Sequence, residues 1–100
     1  MSMTNNYELY KVFYWAAKTG SLTQAAKALY LTQPSVSHAI KQLEDSFGIT
    51  LFYRTAKGVE LTQEGAILYS YIEQSHIFIS LAEEKMAALK NLESGELRIG

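Results

Sequence analysis

The fold is decided by residues 21–38, which read SLTQAAKALYLTQPSVSH. Ser21 and Gln24 fit the capping box, in which a serine begins a helix and a glutamine three residues later bonds back to it. The small side chains of Ala25 and Ala26 would form the inner face of this helix and let another helix approach closely. We therefore predict a short helix that begins after the serine and packs tightly against a neighbour.

A second helix is predicted to follow almost at once. Thr32 is a suitable N-cap, and Pro34 fits the first turn, where the N–H that proline lacks would have no partner anyway. Val36, Ile40 and Leu43 then continue at helical spacing. Two helices with so short a connection form a helix-turn-helix, whose second helix enters the major groove in DNA-binding proteins.

The exposed face of the second helix carries hydrogen-bonding side chains and no acid before Glu44. Its residues are Gln33, Ser35, Ser37, His38, Lys41 and Gln42. Amide, hydroxyl, imidazole and ammonium groups can bond to base edges or phosphates, so this face is a candidate surface for reading DNA. The competing interpretation is that these residues simply face water, as most polar helix faces do.

The segments on either side complete a small domain. Residues 7–18 show one apolar stripe at helical spacing, and Gly20 can end that helix in the left-handed conformation. β-rich runs at 50–54 and 58–61, joined by a turn at 55–57, predict a hairpin. Because two strands are marginally stable alone, we expect the hairpin to pack on the helices.

Two basic residues flank the predicted hairpin turn. From there Arg54 and Lys57 could reach phosphates or the minor groove. The alternative for Arg54 is that it anchors the hairpin to a helix.

The aromatic residues are predicted to divide between core and surface. Those predicted to be mostly core are Phe13, Tyr14, Trp15, Phe47 and Phe52. Those expected to be partly exposed or at interfaces are Tyr7, Tyr10, Tyr30, Tyr53, Tyr69 and Tyr71.

A long helix is predicted after the hairpin. Thr62 would cap it, and residues 63–92 contain no proline, which allows a helix of about 45 Å. Apolar and small residues recur there at heptad spacing, the pattern of a helix that packs along another helix. These candidate dimer-interface positions are Leu68, Ile72, Ser75, Ile79, Ala82, Met86 and Leu89. The serine and the alanine weaken the repeat, so we expect an interface that departs from an ideal zipper.

Charge distinguishes the two halves of the chain. The net charge is −1, but residues 1–62 carry six basic and four acidic residues, whereas residues 63–100 carry three basic and six acidic ones. An anionic partner should therefore meet the first half. Because the chain has no cysteine, neither a disulfide nor a thiolate metal site is expected. No motif calls for a metal or a cofactor.

The two ends of the chain carry further expectations. The start lacks the basic and apolar features of a signal peptide, and no apolar run approaches the roughly 20 residues that span a bilayer. A cytoplasmic protein is therefore expected. Residues 93–100 are predicted to form a hinge, in which 97–100 alternate like the first strand of a truncated further domain.

From residue 7 to about residue 68 the sequence resembles the N-terminal domain of LysR-type transcriptional regulators. The resemblance rests on the Gly-Ser…Ala-Ala run at 20–26, Gln-Pro-Ser-Val-Ser at 33–37 and Leu-Phe-Tyr-Arg at 51–54. This combination at this spacing is highly specific.

The resemblance implies an architecture and a function. The fold would be mainly α, with a winged helix-turn-helix of three helices and a two-stranded wing over 1–62. A linker helix over 63–92 would pair antiparallel in a homodimer, and 93–100 would begin an effector-binding domain that takes a small molecule. A bacterial, nucleoid-associated regulator that binds double-stranded DNA at an inverted-repeat operator is implied, with tetramers possible in full-length members.

The resemblance also assigns roles by position. Base reading would belong to Gln33, Pro34, Ser35, Ser37 and His38. Contacts with the DNA backbone or the minor groove would belong to Lys41, Arg54, Lys57 and Thr62. His38 departs from the arginine or glutamine that is commoner in the family, which leaves the identity of the preferred base open.

Two other classes of function compete with DNA binding. A protein-interaction module using the long helix fits the near-neutral charge, but it does not require a polar start to the second helix. An enzyme would need a nucleophile, a base and an orienting group within reach of one another. Because His38 directly follows Ser37 and there is no glycine-rich phosphate loop, no enzymatic activity is expected.

Overall fold

The computed structural model describes residues 3–94, with side chains described from residue 6 to residue 92. Within these residues the chain forms four helices and one two-stranded antiparallel sheet. The elements are α1 Met3–Thr19, α2 Leu22–Leu29, α3 Gln33–Phe47, β1 Phe52–Thr55, β2 Gly58–Leu61 and α4 Gln63–Ser94. The predicted winged helix-turn-helix followed by a long helix is confirmed.

Three boundaries differ from the prediction by a few residues. α1 begins four residues earlier than predicted, because nothing before its apolar stripe breaks a helix. β1 begins at Phe52 rather than at 50, because the carbonyls of Thr50 and Leu51 accept hydrogen bonds from Thr62 instead. α4 continues through Ser94, so part of the predicted hinge is helical, and the remaining positions, 95–100, lie outside the described residues.

The predicted N-caps of α2 and α3 are present, but the Gln24 side chain does not make the return bond of the predicted capping box, because the Ser21 N–H donates to Thr19 Oγ1 at 3.3 Å instead. Ser21 Oγ accepts a hydrogen bond from the Gln24 N–H at 3.1 Å, and Thr32 caps α3 in the same way. Gly20 and Gly48 adopt positive φ of 69° and 70° where α1 and α3 end. These local signals fix where each helix of the helix-turn-helix begins and ends.

The core lies where α1 meets the helix-turn-helix and the hairpin. Among the residues described, its members are all apolar: Leu9, Val12, Phe13, Ala16, Leu22, Ala25, Ala26, Val36, Ile40, Leu43, Leu51, Phe52 and Val59. The rings of Phe13 and Phe52, 5.2 Å apart, join α1 to the hairpin. Phe47 was predicted to join this core but is 44% exposed, because it ends α3 one turn beyond Leu43.

The hairpin packs on the helices, as expected. The Val59 N–H donates to the carbonyl of Gly20 at 3.1 Å, which ties β2 to the turn between α1 and α2. Gly58 adopts φ of 150°, and a Cβ there would collide with the same carbonyl. This close approach sets the position of the wing relative to α3.

Helix α4 packs on the core only through its first third. Leu68, Tyr69 and Ile72 are partly buried against that core. Tyr14 of α1 stacks on Tyr69 at 5.6 Å and on His76 at 4.8 Å. Burial, followed by the nearby Glu73 carboxylate, raises the pKa of Tyr69, so its phenol stays protonated and can donate to that carboxylate at 3.4 Å.

Candidate nucleic-acid interface

The start of α3 is organised by its cap. Thr32 Oγ1 accepts from the Ser35 N–H at 3.2 Å and donates to Ser35 Oγ at 2.9 Å. Ser35 therefore keeps its own hydroxyl hydrogen for an external acceptor. Pro34, Ser35 and His38 are exposed and Gln33 is half-buried, so the predicted reading residues begin the helix on an accessible surface.

The rotation of α3 about its own axis is fixed by an inner stripe. Val36, Ile40 and Leu43 are buried, with 0%, 7% and 1% of their surface exposed. Their burial turns His38 and Lys41 toward solvent, as the sequence pattern predicted. The polar face of α3 therefore lies opposite the core rather than against another helix of the chain.

Three of the predicted residues meet in one cleft between α3 and the hairpin. Ser37 and Lys41 line it from α3, and Arg54 lines it from β1. Apolar residues, among them Ile40 and Phe52, form part of its wall. Ser37 is thus half-buried and borders the hairpin, whereas His38 lies on the open side.

Glu44 holds the hairpin in place and was not foreseen in that role. Its carboxylate accepts from the Leu51 N–H at 2.7 Å and from the Phe52 N–H at 3.2 Å. The sequence offered only an acid near the end of a helix, and its partners are seven and eight residues away. Because it anchors the start of β1, Glu44 positions Arg54 against α3.

Lys57 and Thr62 lie outside this cleft. Lys57 is exposed beside the hairpin turn, where its N–H donates to Thr55 Oγ1 at 3.2 Å. Thr62 Oγ1 accepts from the Gly65 N–H at 2.9 Å and donates to the Thr50 carbonyl at 2.7 Å. Thr62 therefore caps α4 as predicted, and its hydroxyl hydrogen is already used within the chain.

The charges of the interface are mostly uncommitted. Lys41 pairs with Asp45 at 3.4 Å, but both side chains are largely exposed, and such a pair is worth at most about 1 kcal/mol. Over residues 6–92, neither Arg54 nor Lys57 has a carboxylate within salt-bridge distance. The basic groups around α3 and the wing are therefore available to an anion.

The heptad positions of α4 divide into two groups. Leu68 and Ile72 are half-buried because they pack against the core of their own chain. Ile79, Met86 and Leu89 are exposed, as are the small residues Ser75 and Ala82. Only the later positions are wholly available to a second helix.

Within residues 3–94, no helix has both the length and the apolar character needed to cross a membrane. The described residues also contain no group of three or more potential metal-ligating side chains.

Residues 7–66 match the model of a bacterial regulatory helix-turn-helix family, the lysR family. This match spans all of α2, α3 and the hairpin, the elements that build the interface. The chain belongs to the lysR family.

Curated relatives, which align over more of the chain than residues 7–66, agree with this assignment. The chain is 39% identical over 89 residues to the RuBisCO operon transcriptional regulator of Allochromatium vinosum, covering 89% of this chain and 30% of the relative. It is 40% identical over 97 residues to the HTH-type transcriptional regulator GltR of Bacillus subtilis, covering 95% and 32%. The chain thus spans about a third of the length of these lysR-family relatives.

A solved structure extends the comparison to three dimensions. The BenM DNA-binding domain, crystallised in a complex with benA site 1 DNA, superposes with a TM-score of 0.68 at 28% identity. The match covers 95% of this chain and 99% of that one. The winged helix-turn-helix and the long helix are therefore features that this lysR-family chain has in common with it.

Proposed function

We propose that this chain is the DNA-binding part of a transcriptional regulator that recognises double-stranded DNA by sequence as a homodimer. The observation that carries the proposal is the start of α3, where polar side chains stay exposed while the apolar stripe is buried. An α-helix of this kind fits the major groove of B-DNA. Membership of the lysR family supports this role, and we infer a cytoplasmic protein without enzymatic activity.

Base identity is assigned to the accessible first turns of α3. Gln33 can pair with adenine through its amide, and His38 can donate to guanine. Pro34 and Ser35 flank them, where apolar contact with a thymine methyl group or a hydrogen bond to a phosphate is possible. These residues form the accessible end of the helix, with Gln33 half-buried and the other three exposed, so they would enter the groove first.

Backbone contacts are assigned to the cleft between α3 and the hairpin. Ser37, Lys41 and Arg54 border it together, so a phosphate there would meet one hydroxyl and two cations. The Glu44 carboxylate also lines the cleft, but one of its oxygens already accepts from the Leu51 and Phe52 N–H groups. This geometry favours the backbone rather than a base as the partner of Ser37. Lys57 at the turn is assigned to the minor groove or its phosphates. Thr62, whose hydroxyl hydrogen is used, is assigned to positioning α4.

Dimerisation is assigned to α4. Its exposed heptad positions supply an apolar seam for an antiparallel copy. We call the winged helix-turn-helix from α1 to β2 the head, and two heads joined in this way would enter successive major grooves of an inverted repeat, about 34 Å apart. The lysR-family relatives are about three times as long as this chain. We assign effector binding, and any tetramer, to the further domain that such lengths imply.

The test begins with the selection of a preferred duplex from random DNA. Fluorescence anisotropy at physiological salt then compares the chain's affinity for that duplex with its affinity for a scrambled one. We expect a clear preference that Gln33→Ala with His38→Ala removes, because each lost base contact costs about 1–3 kcal/mol of discrimination. Equal affinity of the wild-type chain for both duplexes would overturn sequence-specific recognition.

Lys57→Ala examines the wing separately. Binding should weaken for every sequence. The magnitude of the slope of log affinity against log salt should fall by about 1, because the loss of one phosphate contact reduces the number of counterions released on binding. Lys90→Ala, which removes an exposed lysine near the far end of α4, is the matched control and should leave the slope unchanged. A wild-type slope in Lys57→Ala would remove Lys57 from the interface.

A further inference from the structure

An open groove runs between α1 and α4, and none of its lining residues belongs to α3. We call it the aromatic groove. Its residues are Tyr7, Tyr10, Lys11, Tyr14 and Trp15 of α1 with Ile72, Ser75, His76 and Ile79 of α4. Four of the five residues on the α1 side are aromatic. DNA recognition by α3 and the wing leaves this groove without a role.

The α4 wall of the groove has the spacing of a coiled-coil hole. Ile72, Ser75, His76 and Ile79 stand at positions i, i+3, i+4 and i+7, the four residues that surround an inserted side chain in knobs-into-holes packing. Because Ser75 is small, it leaves space in the middle of this hole for an inserted side chain. The groove is continuous with the proposed dimer seam, because Ile72, Ser75 and Ile79 belong to both.

We infer that the occupant of the aromatic groove is the partner's Met86, in a second copy of this chain. This inference rests on the proposed homodimer and specifies its register. Met86 is a heptad residue with 59% of its surface exposed. A thioether makes favourable contacts with aromatic ring edges and adapts to irregular spaces, which suits a hole walled by tyrosines and a tryptophan.

The register follows from matching large residues with small ones. In an antiparallel pair whose two-fold axis passes between Ile79 and Ala82, the six heptad positions from Ile72 to Leu89 form facing pairs that are apolar or combine one large and one small residue. The facing pairs are Ile72 with Leu89, Ser75 with Met86, and Ile79 with Ala82. Leu68 is left to the core of its own chain, where it is already half-buried.

A shift of one heptad gives a poorer interface. Met86 would then face Leu68, which its own core already covers in part, and Leu89 would face Gly65. The exposed Leu89 would gain no large apolar partner. The register centred between Ile79 and Ala82 therefore covers more of the exposed apolar surface than this shift does. The opposite shift would place Ser75 opposite position 93 and Ile72 opposite position 96, beyond the end of α4 at Ser94, so Ile72 would lose its apolar partner.

The Met86 contact would affect how the two recognition helices of the dimer are spaced. Because the groove is walled by both α1 and α4, one Met86 side chain would contact the head and the linker helix of the partner at once. It would fix the angle between them, and through that angle the distance between the two α3 helices.

The absence of cysteine from the chain makes cross-linking a clean test of the register. Ser75→Cys and Met86→Cys chains are mixed in the 100-residue protein and oxidised. We expect a disulfide between unlike chains and none within either variant alone, because identical positions would be about 16 Å apart along the helices at 1.5 Å per residue. Parallel helices would instead cross-link each variant with itself, and the shifted register would give no disulfide in the mixture. Either result overturns the inference.

The single tryptophan reports on the groove itself. Trp15 should lose iodide quenching as sedimentation shows the dimer forming, and Met86→Gln should restore the quenching. Leu81→Gln, at a similarly exposed position outside the groove, is the control and should keep the wild-type protection. A dimer that leaves Trp15 unprotected overturns the occupant but not the dimer, whereas a chain that stays monomeric bound to DNA overturns both.

Discussion

The winged head and the outer part of α4 use apolar residues in opposite ways. In the head, Phe13 and Val36 expose none of their surface and Leu43 exposes 1%. On α4, Phe78 exposes 68% of its surface and Met86 59%. The two regions are continuous in sequence, and the change occurs within one helix, beyond Ile72.

This difference shows which part of the chain can be stable alone. The head buries an apolar core and satisfies its helix ends by caps, so its stability is internal. A helix that is apolar on most of its faces is normally buried, and an exposed apolar surface of this size marks an interaction site. We therefore expect the outer part of α4 to depend on the proposed second copy for its stability.

The largest expected effect contrasts two phenylalanines. Phe13→Ala should reduce the free energy of unfolding by about 3–5 kcal/mol, because it leaves a cavity beside Phe52 in the core. Phe78→Ala should change it by no more than about 0.5 kcal/mol in the monomer, because that ring is already in water.

Urea unfolding at concentrations low enough to keep the chain monomeric measures both variants. Repeating the urea unfolding at concentrations that favour the dimer should give a larger loss for Phe78→Ala, because Phe78 lies beside the proposed seam. If Phe78→Ala destabilised the monomer as much as Phe13→Ala, the division between the two regions would be wrong.

The features that could be predicted from the sequence are local ones. Caps such as Ser21 and Thr32 bond to residues three positions away, and Val36, Ile40 and Leu43 reveal a buried face by spacing alone. The structure shows this part of the fold where it was predicted.

The features that could not be predicted depend on tertiary contacts. Phe47 continues the pattern of the α3 core yet lies outside it, since one more helical turn carries it past the neighbouring elements. Leu68 and Ile72 belong to the same heptad repeat as Met86, but only the fold shows that both are partly buried against the core of their own chain. The cleft that joins Ser37 to Arg54 likewise exists only once the hairpin has docked.

A smaller effect is expected from Glu44, the polar anchor of the head. Glu44→Ala should reduce the free energy of unfolding by about 1–3 kcal/mol, because two part-buried N–H groups, of Leu51 and Phe52, would lose their acceptor. The same variant should weaken DNA binding, because the strand that carries Arg54 would no longer be held against α3.

Asp45→Ala is the matched control for Glu44 because it removes the neighbouring acid on the same helix. Its exposed pair with Lys41 contributes at most about 1 kcal/mol, so chemical denaturation should show little change. Equal losses in the two variants would show that Glu44 acts through charge rather than through its hydrogen bonds.

The smallest effect concerns Tyr30, an exception to the rule that the head buries its large side chains. It is 95% exposed and is the one non-glycine residue with positive φ in the described part of the chain, at 59°. It ends α2 in a Schellman motif, in which its N–H bonds to Lys27 and the Leu31 N–H bonds to Ala26. A side chain in this conformation costs about 1 kcal/mol relative to glycine, and an exposed ring recovers little of that by packing.

Tyr30→Gly should therefore increase the free energy of unfolding, by somewhat less than 1 kcal/mol after the added flexibility of the unfolded chain is subtracted. Leu31→Gly, one residue later and without positive φ, is the control and should decrease it. Thermal unfolding of the two variants side by side measures the difference in sign. Destabilisation by both would mean that the Tyr30 ring makes stabilising contacts despite its exposure. A stabilised Tyr30→Gly that bound DNA as well as the wild-type chain would show that the exposed ring serves neither the fold nor the interface with DNA.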